Sequence, residues 1–300
     1  MAITLADLAK NSGDKIVQGF VNEIITDSQI LAALPFDNCM TADGLSDLVY
    51  SYKRVKTPME AKFRALGDEP EETDVTFERI TTNVGILSDS FKVDRVAQAA
   101  ASDLYQLKLV ELKNAIIRGF NKQLIAGDKA SNDKAFDGLA KAIKGSSTEF
   151  TAATDISTIT EDSALAFTVD LDNMLSSLMR TPNALYASSA MKVKIAAVCR
   201  RLGLATTTPD SVGNQVSAYN GIPIVELKDG ALTTNDVYAV CYGLDAFHGI
   251  TLKGDKAITV NLPDFSQPGA VKTVDAEFVC GCALKATKAA GVLHPAKTGA

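Results

Sequence analysis

The sequence predicts an α+β chain, and three observations carry that reading. A two-stranded arm with segregated charge occupies residues 47–82. A single long helical stretch follows it almost at once. Beyond that stretch, helical stripes alternate with short β-rich runs up to a late hairpin. The arm is the most informative of the three. Its first strand, Leu48 to Lys56, places Tyr50, Tyr52 and Arg54 on one face and Val49, Ser51, Lys53 and Val55 on the other. Neither face is continuously apolar, so the ribbon cannot bury itself, and two-stranded ribbons are marginal alone. The spacing therefore predicts an element that lies on something else.

Residues 1–46 read as an arm with short helices. Asp14 caps a stripe through Ile16, Val17, Phe20, Ile24 and Ile25. One of Thr26, Asp27 or Ser28 caps a second through Ile30, Leu31 and Leu34, which Pro35 ends. These stripes have no local partner and are expected to dock on the body or on a neighbour. In the hairpin, the basic residues Lys53, Arg54, Lys56, Lys62 and Arg64 precede the acidic Asp68, Glu69, Glu71, Glu72 and Asp74, with Pro58, Gly67 and Pro70 loosening the tip. Ion pairing within the hairpin or between subunits is the expected use of that charge.

A third strand is expected over Val84 to Val93. Asp94 then caps a helix that runs to Ala126, with Gly127 as its stop and an apolar series at Val96, Ala100, Leu104, Leu107, Leu112, Ile116, Phe120 and Leu124. At 1.5 Å per residue it would span about 50 Å. Residues 129–147 read as a surface loop with a short helix. A helix over 170–180, a strand over Ala184 to Ala187, and a helix capped by Ser188 or Ser189 and ending at Leu202 suggest an α/β region. Asn220 and Gly221 make a turn into a strand that Pro223 places at an edge. A β run over Val237 to Tyr242 and a hairpin of 257–262 with 271–284 follow, and the tail from Gly291 reads as loose.

Composition excludes several function classes. The 300-residue chain is 46% hydrophobic and 22% charged, which is a globular balance. Its net charge of −6 argues against a sequence reader of nucleic acid, and no apolar run reaches the roughly 18 to 20 residues that span a bilayer. The N-terminus lacks the basic start, apolar run and small-residue site of a secretory signal, so a cytoplasmic origin is expected. Cys39, Cys199, Cys241, Cys280 and Cys282 contain no CxxC pair and read as free thiols. Cys280 and Cys282 would share a strand face, but no further ligands stand at metal-site spacing. Asp245 and His248 could be imagined in a triad, yet no nucleophile elbow, P-loop or dinucleotide-binding glycine motif occurs. The acidic clusters at 69–74 and 161–172 read as solvated or partner-facing surface. No catalytic, cofactor or metal residue is assigned.

The ordered set of elements resembles the major capsid protein of tailed bacteriophages of the Hong Kong 97 type. Thr26 to Phe36 resembles the family's arm segment. Val84 to Asp94, with the helix after it, resembles the start of the peripheral (P) domain and its spine helix. Met179 to Ser189 resembles the helix, strand and helix of the axial (A) domain. Tyr219 to Glu226 is similar to its G-x-P-V strand, and Tyr242 to Gly249, 257–262 and Val274 to Leu284 resemble its closing strands. The resemblance implies an N-terminal arm at 1–46, an E-loop hairpin at 47–82, a P-domain at 83–135 completed by 255–282, and an α/β A-domain at 136–254 with 283–300. It implies a non-enzymatic shell protein without cofactor that forms hexamers and pentamers around double-stranded DNA in the virion, bound without sequence recognition and assembled in a bacterial cytoplasm. A separate scaffolding protein and a portal would be its helpers, with no membrane partner. Some members begin with a scaffolding segment that is later cut away; this sequence starts at or near the arm, so either a separate scaffolding protein or an already processed form is expected. The expected subunit contacts are the hairpin's Tyr50, Tyr52, Lys53, Arg54, Lys56, Glu69, Glu71 and Glu72, the arm's Phe20, Ile24 and Leu31, and an axial loop at Asp245 to Gly249 that includes His248. An encapsulin-type nanocompartment shares the fold, and a soluble α/β enzyme is the reading from a different class.

Overall fold

The structure, a computed structural model, describes residues 23–24, 28–39, 48–57, 59–69, 71–72, 74–96, 102–209, 215–228, 230–252, 258–264, 266 and 268–296. In chain order the elements are α1 (Gln29–Ala33), β1 (Phe36–Asn38), β2 (Val49–Thr57), β3 (Thr76–Asn83), β4 (Gly85–Asp94), α2 (Ser102–Ala126), α3 (Leu139–Ile143), β5 (Glu149–Thr151) and α4 (Glu161–Ser176). There follow β6 (Ala184–Ser188), α5 (Ser189–Arg201), β7 (Thr206–Pro209), β8 (Gln215–Tyr219), β9 (Ile222–Leu227), β10 (Val237–Val240), β11 (Phe247–Thr251), β12 (Ile258–Asn261), β13 (Val271–Leu284) and β14 (Ala290–His294).

Strand β13, 14 residues long, organises the first sheet. β4 runs antiparallel along one edge, from Val271↔Asp94 to Cys280↔Gly85. β12 and then β11 share the other edge, and β1 adds in parallel beyond β11. The second sheet has seven strands in the order β5-β14-β10-β6-β9-β8-β7. Its central strands are buried on both faces, and the two-residue period divides their side chains between two cores. From β6, Ala184 and Tyr186 enter a core shared with α2 and the first sheet, whereas Leu185 and Ala187 enter one covered by α4 and α5. β10 splits the same way, Tyr238 and Val240 against Val237 and Ala239.

Helix α2 contributes Leu112, Ile116, Phe120 and Leu124, four residues apart, to the shared core. Phe120 stands 5.4 Å from Phe278 and 6.3 Å from Phe36, ring centre to ring centre. Asp94 accepts the Val96 N–H at 2.8 Å, an N-cap contact at the end of β4. Gly127 stops the helix through close approach. A Cβ there would lie 2.6 Å from the Phe136 carbonyl oxygen, and the Gly127 carbonyl accepts the Gly138 N–H at 2.8 Å.

Several sequence expectations need correction. Val96, ahead of α2, and Leu107 on it are exposed, whereas Leu112, Ile116, Phe120 and Leu124 are buried. Helix α4 begins at Glu161, where Thr160 and Ser163 form a reciprocal cap. The acidic run from Glu161 is thus its first turn, a favourable place for negative charge. β9 is interior, paired with β8 and β6. Pro223 fits because parallel pairing with β6 starts one residue later, at Ile224. The first part of the tail, Gly291 to His294, is not loose. β14 lies between β5 and β10, a pairing no local pattern displays. Residues 247–251 pair with β13 in the first sheet.

Candidate assembly surface

β2 and β3 pair antiparallel from Val49↔Asn83 to Thr57↔Thr76, with a bulge between Val55 and Thr57. The chain enters through Leu48 at φ 51°, a left-handed conformation costing a non-glycine residue about 1 kcal/mol or more. The root of this ribbon is fastened to the chain's own body. Tyr50 Oη donates to Asp37 Oδ2 at 2.6 Å, and Tyr52 Oη donates to the Leu284 carbonyl at 2.8 Å. Arg54 donates through Nε to the Lys285 carbonyl at 2.9 Å and through Nη2 to the Leu284 carbonyl. Lys285 closes the cluster, its Nζ 3.5 Å from Asp37 and 5.4 Å from the Tyr50 ring centre. Burial would raise the Asp37 carboxyl, but the bonds from Tyr50 and the Asn38 N–H, with Lys285 nearby, hold it below its ordinary value. Burial and Asp37 together push the Tyr50 phenol well up.

Beneath this root lies His248. It is on β11, wholly buried, with its ring 5.7 Å from Tyr50 in edge-on contact. Among the described residues neither ring nitrogen has a hydrogen-bond partner within bonding geometry. Burial, and then the Lys285 charge, bring its pKa down to about 4, against partial opposition from Asp37 and the backbone of Ala246 and Gly243. His248 is therefore a core residue. The expectation that 245–249 forms one exposed loop is corrected, because Phe247, His248 and Gly249 pair with β13. Asp245 alone of that set is exposed, 3.8 Å from Arg180.

The remaining expected contacts divide by position. Ile24 and Leu31 are buried in this chain's main core rather than offered outward, and Phe20 lies outside the described residues. Tyr50, Tyr52 and Arg54, on the inner face of the ribbon, are held by the body. Lys53 and Lys56 are exposed, as are Glu69, Glu71 and Glu72 beyond the strands. Lys62 pairs with Glu71 across the tip. Sequence reasoning missed the apolar residues there, since Phe63 and Leu66 are fully exposed and Val55 and Phe77 largely so. An apolar residue amid dense charge was the available clue. It also missed Asp37, which stands shortly before the hairpin with no pattern marking it, and Lys285, which lies far from the hairpin in sequence.

A second polar cluster joins β5, β14 and the residue just before β10. His294 on β14 meets Asp236 at 2.8 Å and Glu149 at 3.2 Å, which raise its pKa against the effect of burial. All five cysteines are buried and outside any disulfide, and burial pushes the Cys282 thiol up to about 12, which suits packing rather than reactivity. Among the described residues no group of His, Cys, Asp and Glu has a metal-binding arrangement, and no helix is long and apolar enough to cross a membrane.

No protein-family model matches the chain, and no curated protein matches it. Solved structures do. The capsid of a native GTA particle is similar at TM-score 0.65 and 14% identity, covering 90% of this chain and 90% of that one. The holo-SrpI encapsulin complex from Synechococcus elongatus gives TM-score 0.63 at 14% identity, covering 90% and 88%. The capsid of Myoviridae phage XM1 gives 0.56 at 13% identity, covering 85% and 88%. A likeness over nearly the whole length establishes the fold as the mixed helix-and-sheet architecture of Hong Kong 97-type capsid chains.

Proposed function

We propose that the chain is the major capsid protein of a tailed phage, a structural rather than catalytic subunit that associates with itself as hexamers and pentamers into an icosahedral shell around double-stranded DNA. The observation that carries the reading is the charged ribbon, anchored at its root and bare at its apolar tip, in a fold whose similar structures include phage capsids. In this reading the ribbon is the E-loop and α2 the spine helix. The arm is 1–46, the P-domain 83–135 with 255–282, and the A-domain 136–254 with 283–300. Lys53, Lys56, Glu69, Glu71 and Glu72 meet a neighbouring subunit, as does the exposed stretch of α2 with Leu107 and Val110. Asp245 stands at a subunit contact near the capsomer axis. Many weak contacts repeated by closed symmetry then sum to a stable shell. A separate scaffolding protein and a portal assist assembly in the host cytoplasm.

Negative-stain microscopy of the purified protein, alone and with its scaffolding partner, is expected to show hollow polyhedra. A compact monomer under every condition refutes the proposal. The similarity to an encapsulin complex favours one second reading, a nanocompartment shell. Particles containing protein cargo and no DNA would establish that reading instead.

A further inference from the structure

We propose that the groove between β4 and α2 is a binding site for a free aliphatic carboxylate, a small molecule with one negative head and an unbranched apolar body. The inference goes beyond the shell reading and does not depend on it. The groove has a volume of about 410 Å³, within the roughly 300 to 1,000 Å³ of small-ligand sites. Its apolar lining includes Ile86 and Leu87 from β4, Phe136, and Cys280 from β13. Ile86 is more than half exposed whereas Phe136 and Cys280 are buried, so the lining runs from the surface to the core.

Two glycines shape it. Gly119 stands in the interior of α2, where glycine is a costly choice. A Cβ there would come within 3.0 Å of Leu87 Cδ1, so the glycine lets Leu87 lie against the helix. A Cβ on Gly85 would stand 3.0 Å from the Lys134 carbonyl oxygen, so this second glycine lets the loop before α3 approach the start of β4. Both positions line the groove, and a side chain at either would intrude on its walls.

The charge of the lining selects the ligand. Its polar side chains are those of Lys122, Gln123, Asn132 and Lys134, and among the described residues no acidic side chain lines it. Gln123 is spent, its Nε2 donating to the Phe136 carbonyl at 2.6 Å. Lys122 and Lys134 are exposed and join no ion pair among the described residues. Two cations beside an apolar cleft suit a molecule that carries an anion at one end and hydrocarbon along the rest. A cationic amphiphile would be repelled, a neutral oil would leave both lysines unused, and a compact polyanion would leave the apolar lining unused.

The test is a saturation-transfer NMR titration of the unassembled full chain with octanoate, butanoate and octanol as probes. Octanoate is expected to saturate one site at millimolar concentration or below. Butanoate, four methylenes shorter, should bind about tenfold more weakly or worse, since a fully buried methylene is worth about fourfold in affinity. Lys122→Gln with Lys134→Gln removes both charges at exposed positions. It should weaken octanoate about three- to fivefold and leave octanol unchanged, whereas Ile86→Gln should weaken both probes. Circular dichroism should match wild type in each variant, because all three positions are exposed. No saturable octanoate signal, or equal octanoate affinity in wild type and both variants, overturns the site. Octanol binding as tightly as octanoate overturns the carboxylate assignment. Every reading is taken on single subunits, so the presence or absence of particles decides the shell reading and not this one.

Discussion

Lowering the pH should weaken the subunit through one buried imidazole, and the size of the effect follows from what surrounds it. His248 is fully buried, and neither nitrogen has a partner among the described residues. It faces Tyr50 from β2, Asp37 from β1 and Lys285 after β13, with the backbone of Gly243 and Ala246 behind it. Its pKa falls from 6.5 to about 4, chiefly because a charged ring there would lose its water. A depressed folded-state pKa means the stabilising contribution is complete above pH 6.5 and is lost as pH falls toward 4, because the unfolded chain takes up the proton first. At about 1.4 kcal/mol per tenfold change in the protonation equilibrium, the full loss is roughly 3 kcal/mol.

The assay is urea unfolding of the unassembled subunit at pH 7 and pH 4.5, wild type against His248→Leu. Other titrating groups are common to both chains and cancel in the comparison. Wild type should lose roughly 2 to 3 kcal/mol more than the variant over that interval. At pH 7 the variant should be about as stable as wild type, because it removes two desolvated polar atoms that have no well-formed hydrogen bond among the described residues. Equal pH slopes in the two chains would refute the argument.

Three further outcomes follow. Gly249→Ala would place a Cβ 2.3 Å from the Phe36 ring and should cost about 1 to 3 kcal/mol, read as a lower urea midpoint with unchanged slope. The basic residues of β2 should separate by face. Lys53→Glu with Lys56→Glu should leave the melting temperature unchanged and reduce particle yield, whereas Arg54→Ala should lower the melting temperature and speed amide exchange in the ribbon, because it frees the Leu284 and Lys285 carbonyls. His294 titrates with the opposite sign to His248. Its pKa is raised by Asp236 and Glu149, so its contribution is complete below pH 6.5 and lost as pH rises through the raised value; His294→Gln should flatten that limb of the stability profile.

What could be read from the sequence was whatever the chain encodes locally. Ser188 caps α5 as its position suggested, and Asn220 and Gly221, at φ 49° and 79°, make the two-residue turn their types favour. Alternation correctly placed Tyr50, Tyr52 and Arg54 on one face of the ribbon. What that face meets was not legible, because Leu284 and Lys285 lie about 230 residues away. The same reason hid β14, whose neighbours are set by tertiary pairing. β7 was missed because a threonine run lacks an apolar period. The start of α4 was misread because its first-turn acids look like an acidic surface cluster until the Thr160 cap is seen. For His248, a polar residue between Phe247 and Gly249 gave no sign that it closes a core.

The division of labour in the ribbon depends on register. Polar anchors at 50, 52 and 54 alternate with outward residues at 51, 53 and 55, so a slip by one residue would turn Lys53 toward the Leu284 carbonyl and expose Tyr52. Two features oppose such a slip. The bulge between Val55 and Thr57 fixes the count along β2, and the three anchors each require a specific side chain at a specific carbonyl or carboxylate. Leu48, strained at φ 51°, is tolerated because these contacts over-determine the path that follows it. The root is therefore stiff by construction, and the direction in which it aims the tip is a property of the isolated subunit. In the proposed shell, a ribbon so aimed would meet a neighbour with less conformational entropy to lose, which would let a small contact contribute usefully when repeated.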